Sequence, residues 1–132
     1  MIVKDMMNTN IYTIKQDAPL KDAIDKLQEL DIGRLFVEDD DNNIVGQISN
    51  SDLIELMIPN EVFKIDDVKV SDVMCEIVNT IYSNSSIEDA ANLMLRAETS
   101  GLLVCEDGKN VGVVTKTDLC RIVSMSDVLL RK

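Results

Sequence analysis

The chain repeats itself, and this periodicity constrains its fold more than any other feature. Val3-Lys4-Asp5-Met6-Met7 returns as Val70-Ser71-Asp72-Val73-Met74, Thr13-Ile14 as Thr80-Ile81, and Asp22-Ala23 as Asp89-Ala90, sixty-seven positions on in each case. The register then slips by one. Gly46-Gln47-Ile48-Ser49-Asn50-Ser51-Asp52-Leu53 returns as Gly112-Val113-Val114-Thr115-Lys116-Thr117-Asp118-Leu119, sixty-six positions on. Two copies of one supersecondary unit therefore fill nearly all of the 132 residues, with no room for a large catalytic domain beside them. Each copy, at about 60 residues with one apolar face, is marginal alone, so the two are expected to pack as one unit.

Apolar spacing predicts the same element order in both copies. A short β-branched strand at Ile11 to Ile14 is matched at Val78 to Ile81. Leu20, Ala23, Ile24, Leu27 and Leu30 recur at helical spacing behind Pro19, which suits a first helical position; Ile87, Ala90, Ala91, Met94 and Ala97 repeat the spacing. Leu35 to Val37, a polar turn and Ile44 to Ile48 read as a hairpin, as do Leu102 to Cys105, Glu106 to Asn110 and Val111 to Val114. Closing helices are predicted over Ser51 to Met57 and Thr117 to Leu130, capped by Ser49 or Ser51 and by Thr115 or Thr117. The expectation is an α+β chain of order β-α-β-β-α, twice, with repeats at 1–57 and 70–132 joined by a connection at 58–69.

Charge and composition narrow the chemistry. Thirteen Lys and Arg against 24 Asp and Glu give a net charge of −11, a field that repels phosphate backbones, so no nucleic acid partner is expected. The absence of His removes Ser-His-Asp and Cys-His catalysis and His-ligated zinc together. With no other nucleophile-base pair and no metal cage, the chain reads as not an enzyme. Cys75, Cys105 and Cys120 are odd in number and scattered, which fits reduced thiols in the cytoplasm. Apolar runs such as Leu102 to Cys105 fall far short of the ~18 residues that span a membrane, and no signal-type segment opens the chain, so no membrane insertion is expected.

The doubled Gly-x-hydrophobic-Ser/Thr-x-Ser/Thr-Asp-Leu segment is the most specific local signal. A strand that ends at Ser/Thr and turns into a helix sets backbone N–H groups, two hydroxyls and a carboxylate side by side. Such a set holds anionic or sugar oxygens, and the carboxylate accepts from a vicinal diol such as a ribose. For either segment alone, helix capping is an equally good reading; duplication of the whole segment favours a site.

In this order and twice over, the opening Asp5-Met6-Met7 and Asp72-Val73-Met74, the apolar strands Leu35 to Val37 and Leu102 to Val104, and the two Asp-containing closing motifs resemble the tandem CBS-domain pair, named after cystathionine β-synthase. The family commonly has Pro within the second strand, where this chain has Phe36 and Leu103. The resemblance implies two repeats packed as one pseudo-twofold unit with two inter-repeat clefts. It also implies a sensor that binds an adenosyl ligand (AMP, ADP, ATP or S-adenosylmethionine) as regulatory ligand and needs no cofactor. Asp52 and Asp118 then accept from the ribose, beside the hydroxyls of Ser49 and Ser51 and of Thr115 and Thr117. By the family's cross-copy arrangement, the Asp118 cleft includes Asn10, Ile11, Tyr12, Ile32, Gly33 and Arg34. The Asp52 cleft includes Ile77, Val78, Asn79, Thr99, Ser100 and Gly101. Family members of this size commonly pair through their helices, so a homodimer is expected, with a protein partner in trans. The alternatives are an excised regulatory domain of a larger enzyme or transporter, and a structural dimerisation or docking module with empty clefts.

Other features have plainer readings. Asp39, Asp41 and Asn43 alternate as calcium ligands do, but Ile44 stands where an EF-hand loop needs Gly and Asn50 where it needs Glu, which leaves a solvated turn. The seven Met read as core fillers, with Met7 and Met74 the two candidates for ligand contact. Cys105 reads as a small core residue. Arg34 has no counterpart in copy two, where Gly101 stands. Its guanidinium suits phosphate, so the Asp118 cleft is expected to prefer phosphorylated ligand; the plainer alternative is a surface salt bridge with Glu38 or Asp31.

Overall fold

The computed structural model describes residues 1–58 and 65–125. Its apolar segments pair into two three-stranded mixed sheets that carry helices, so the chain is α+β. In the first sheet β1 (Thr13–Lys15) runs parallel to β2 (Arg34–Glu38), which is antiparallel to β3 (Ile44–Ser49). The second sheet repeats these directions in β4 (Thr80–Tyr82), β5 (Gly101–Glu106) and β6 (Lys109–Thr115). A parallel neighbour needs a crossover, supplied by α1 (Leu20–Leu30) and α4 (Ile87–Arg96). α2 (Asn50–Glu55) and α5 (Lys116–Met125) close the repeats, and α3 (Val70–Val73) is a single turn between them.

Several boundaries differ from the sequence reading. β1 and β4 start at Thr13 and Thr80, two residues later than the β-branched crowding suggests, because the ladders begin where Thr13 meets Phe36 and Thr80 meets Leu103. Pro19 precedes α1 instead of entering it; at φ −59° and ψ 142° its backbone is extended. Both closing helices start one residue early, at Asn50 and Lys116. α2 ends at Glu55 instead of Met57, and the part of the last helix expected beyond Met125 lies outside the described residues, as does Pro59 of the connection.

Strand alternation fixes which residues each sheet turns toward its helix. Leu35, Val37 and Ile48 share a face and pack with Leu20, Ala23 and Leu27 of α1. Leu102, Val104 and Val114 pack in the same way with Ala90 and Met94 of α4. The opposite faces carry Arg34, Phe36, Gln47 and Ser49 in one sheet, and Gly101, Leu103, Val113 and Thr115 in the other.

Each core is completed by a residue from the other sequence copy. Val70 belongs to the core of the first sheet and Val3 to that of the second, both fully buried. The compact units are accordingly Tyr12–Val78 on one side, and Met1–Ile11 with Asn79–Lys132 on the other. Backbone bonds mark the exchange with matching pairs. Val70 N–H donates to Ala18 O and Val3 N–H to Ser85 O, both at 2.9 Å, while Ser71 N–H reaches Gln16 O at 3.0 Å and Lys4 N–H reaches Ser83 O at 2.8 Å. Asp72 and Asp5 accept from the N–H groups of Lys69 (2.9 Å) and Ile2 (2.8 Å), closing the turn at the head of each segment. In the second unit Lys4 also pairs with Glu106 at 3.0 Å, and the hydrogen bonds from Lys4 and then Ser83 hold the Glu106 carboxyl below its ordinary pKa.

Each opening segment ends by crossing a glycine. Cys75 and Gln47 exchange backbone bonds of 2.8 and 2.9 Å, as Asn8 and Val113 do, and this lays Met74 over Gly46 and Met7 over Gly112. A Cβ at Gly46 would stand 2.8 Å from both Cys75 O and Met74 Sδ; at Gly112 it would stand 2.9 Å from Asn8 O and 2.7 Å from Met7 Sδ. Met7 and Met74 thus pack against the two cores. Since backbone cannot yield as a side-chain tip can, Gly46→Ala and Gly112→Ala are each expected to lower unfolding free energy by about 1–3 kcal/mol, as overpacking does. Urea unfolding followed by circular dichroism measures the loss.

Candidate functional site

The two strand-to-helix junctions have the same construction. Ser49 ends β3 with extended backbone, and its Oγ accepts from Asp52 N–H at 3.4 Å. Asp52 Oδ2 in return accepts from Ser49 N–H at 2.8 Å and from Ser49 Oγ at 3.1 Å. In the second unit Thr115 Oγ1 accepts from Asp118 N–H at 3.3 Å, and Asp118 Oδ2 accepts from Thr115 N–H at 2.9 Å and Oγ1 at 3.0 Å. These are reciprocal capping boxes. One oxygen of each aspartate is therefore committed to the cap, and Oδ1 is the oxygen left for another partner; Asp118 Oδ1 accepts from Arg121 Nη1 at 3.4 Å. The second hydroxyl of each motif, on Ser51 and Thr117, is exposed in the first turn.

The entry to the second strand is tied to the same helix end. Gly33 O accepts from Asn50 N–H at 3.0 Å, and Ser100 O accepts from Lys116 N–H at 2.9 Å. Tyr12 O accepts from Phe36 N–H and Asn79 O from Leu103 N–H, each at 3.0 Å. Four carbonyls among the candidate residues thus hold strands and caps, and a fifth, Ile77 O, accepts from Gln47 Nε2 at 3.0 Å. Asn10 N–H is itself bonded to Asn8 Oδ1 at 2.8 Å.

Arg34 starts β2 opposite Ser49, on the face away from the core. It donates from Nη1 to Gln47 Oε1 at 2.9 Å. Burial lowers its pKa and the nearby Asp52 carboxylate opposes that fall; a guanidinium so placed keeps its charge at neutral pH. Gln47 was not singled out by the sequence: in the repeat it aligns with Val113, and an isolated polar residue in an apolar strand carries no motif.

The candidates divide between the two compact units. Tyr12, Ile32, Gly33, Arg34, Ser49, Ser51, Asp52, Ile77 and Val78 lie in the first, and Asn10, Ile11, Asn79, Ser100, Gly101, Thr115, Thr117 and Asp118 in the second. Within the first, Arg34, Ser49 and Asp52 come together at one strand end; within the second, Thr115 and Asp118 do, beside Gly101 in the sheet register. The acidic turn is built as a turn: Asp39 Oδ1 accepts from the N–H groups of Asp41 at 3.0 Å and Asn43 at 2.9 Å. Among the described residues no group of three or more Cys, Asp or Glu side chains is placed to hold a metal ion, and no helix is long and apolar enough to cross a membrane.

Comparison with known proteins identifies the family. The family model of the CBS domain matches residues 3–59 and again 70–125. A CBS domain-containing protein of Dictyostelium discoideum is 32% identical over 128 residues, covering 90% of this chain and 88% of its own length. An uncharacterized protein of Methanocaldococcus jannaschii is 30% identical over 122 residues; the chain spans only 42% of that relative's length. Among solved structures, a CBS domain protein of Thermoplasma acidophilum superposes with a TM-score of 0.82 at 31% identity, over 92% of this chain and 68% of that one. CBSX2 in complex with AMP gives 0.75 at 26%, over 94% of this chain and 96% of that one.

The capping boxes have a measurable share in stability. Ser49→Ala and Thr115→Ala each remove a cap acceptor and are expected to cost about 0.5–2 kcal/mol, with Ser49→Thr, the residue at the matching position of the second repeat, recovering most of the loss. Chemical unfolding of the four proteins, with wild type as reference, checks both the size and the recovery.

Proposed function

Since the chain belongs to the CBS-domain family, with one such domain at residues 3–59 and a second at 70–125, we propose that it is a non-catalytic regulatory module of the cytoplasm. It binds an adenosyl ligand and signals occupancy to a partner. The observation that carries this reading is the doubled junction: two helix N-termini, each with an exposed hydroxyl in the first turn and an aspartate whose Oδ1 stands outside the cap. A carboxylate oxygen beside a hydroxyl accepts from the vicinal diol of a ribose. Asp52 and Asp118 take that role, Ser51 and Thr117 assist, and the apolar Ile11 and Val78 flank the base. The AMP complex of CBSX2, 26% identical over nearly the whole chain, supports an adenosyl ligand.

Arg34 is the phosphate contact in this reading. In a protein of charge −11 an approaching phosphate needs a local cation, and the register of the second sheet puts Gly101 where the first has Arg34. The cleft that includes Arg34 therefore favours a phosphorylated ligand, while the other prefers a less charged one. Signalling requires that the ligand bind two states of the module with different affinity.

A specific observation also favours an association role. Ile54 and Met57 are 59% and 79% exposed on and after α2, and Leu95, Val123 and Met125 are 69%, 54% and 79% exposed on α4 and α5. Apolar helical surface of this kind suits a self-complementary contact. The module is accordingly a homodimer, and light scattering at micromolar concentration should give twice the 14.7 kDa chain mass; a monomer throughout removes the pairing.

Calorimetry against AMP, ATP, S-adenosylmethionine and adenosine tests the ligand. Asp52→Asn and Asp118→Asn should each remove one binding event. Arg34→Ala should weaken AMP by roughly tenfold or more, the value of a charge-assisted contact, and leave adenosine nearly unchanged. Binding of none of the four leaves the docking role alone.

A further inference from the structure

Gln47 is held at every polar group it possesses. Its N–H donates to Cys75 O at 2.9 Å, and its carbonyl accepts from Cys75 N–H at 2.8 Å. Its side-chain Nε2 donates to Ile77 O at 3.0 Å, and Oε1 accepts from Arg34 Nη1 at 2.9 Å. The residue is only 8% exposed. The chemistry of its partners fixes which way the amide points: a carbonyl can only accept and a guanidinium can only donate, so Nε2 faces Ile77 and Oε1 faces Arg34. A flipped amide would set two donors together and two acceptors together.

The bond to Arg34 runs diagonally across the β2–β3 pair, since Arg34 stands opposite Ser49 and Gln47 opposite Phe36. Such diagonal neighbours on one sheet face are within reach of long side chains. A neutral acceptor orients a guanidinium without adding a counter-charge, whereas a carboxylate there would orient it and offset its field. The second sheet has neither member: Gly101 and Val113 occupy the corresponding register positions. The clamp and the cation it holds depart from the repeat together.

We propose that Gln47 is the positioning residue for Arg34, a neutral clamp anchored on the Ile77 carbonyl that sets the module's preference for phosphorylated over unphosphorylated adenosyl ligands. This rests on Arg34 as the phosphate contact proposed above. Holding one guanidinium nitrogen before the ligand arrives reduces the ordering that binding must do, and that gain is specific to ligands with a phosphate.

The test compares AMP with adenosine by calorimetry in wild type, Gln47→Met, Gln47→Glu and Arg34→Ala, with thermal unfolding in parallel. Gln47→Met keeps the volume and removes both side-chain bonds; Gln47→Glu keeps an acceptor for Arg34 and adds a charge. Both should weaken AMP by about tenfold, equivalent to ~1.4 kcal/mol, while adenosine changes by no more than about twofold. Equal losses for the two ligands alongside a lower unfolding temperature would make Gln47 structural only. An unchanged AMP-to-adenosine ratio in Gln47→Glu, should Gln47→Met not fold, overturns the proposal as well. If instead the wild type binds neither ligand, or Arg34→Ala leaves the ratio unchanged, it is the underlying ligand reading that fails.

Discussion

Each described unit of this chain depends on the close passage of a backbone over a glycine. At Gly46 and Gly112 a crossing segment comes so near that a single carbon would strike its carbonyl oxygen within 3 Å. That approach allows paired backbone bonds between the segment and the last strand of the sheet, and it seats Met74 or Met7 against the core. The valine at the head of each segment then fills the same core from its far end. A fully buried valine is worth about 1.5–3 kcal/mol, a substantial part of what a unit of this size has to spare. Neither sheet completes its core without the opening segment of the other repeat.

The glycine motif therefore does two things that the sequence presents as one. Its first residue admits the crossing segment, and its fourth and seventh, Ser49 with Asp52 and Thr115 with Asp118, make the helix cap. The sheet face turned away from the helix carries Gln47 and Ser49 in one repeat and Val113 and Thr115 in the other. A capping box uses one oxygen of its aspartate and a hydroxyl already turned toward the helix end. The same geometry leaves a second oxygen and a neighbouring hydroxyl beside a helix N-terminus, where the backbone dipole favours electron-rich groups. Capping and ligand recognition are compatible uses of one junction, and the cap holds the junction in shape without a ligand.

Much of this was legible in the residues. Helical spacing located α1 and α4 nearly to the residue, because an amphipathic stripe over three turns is a long signal. The hairpins follow from apolar runs broken by Asp, Asn and Gly, whereas the residues leave the caps open between Ser49 and Ser51 and between Thr115 and Thr117, and only the structure assigns them to Ser49 and Thr115. β1 and β4 start two residues later than the sequence predicts, since Ile11, Tyr12 and Val78 favour extended backbone whether or not a partner strand lies beside them. Gln47 carries no signal in the sequence because its partners, Arg34 and Ile77, stand thirteen positions before it and thirty after it, and no local pattern reports such partners.

The sequence by itself determined the repeat, the α+β class and the order of elements, because these follow from the residues of each segment and their recurrence. Only the tertiary structure decided which opening segment serves which sheet. Met7 and Met74, Val3 and Val70, and Asp5 and Asp72 are pairs of identical residues, so the local sequence does not tell one glycine, core or turn from the other. A sequence that repeats is equally satisfied by segments that stay with their own copy and by segments that are exchanged. The path of the chain breaks that tie: after α2 it returns to its own sheet, where Val68 O accepts from Leu20 N–H at 2.8 Å and Val70 N–H donates to Ala18 O at 2.9 Å. The following segment is then already in place over Gly46, and Met1–Ile11 is left to complete the other unit.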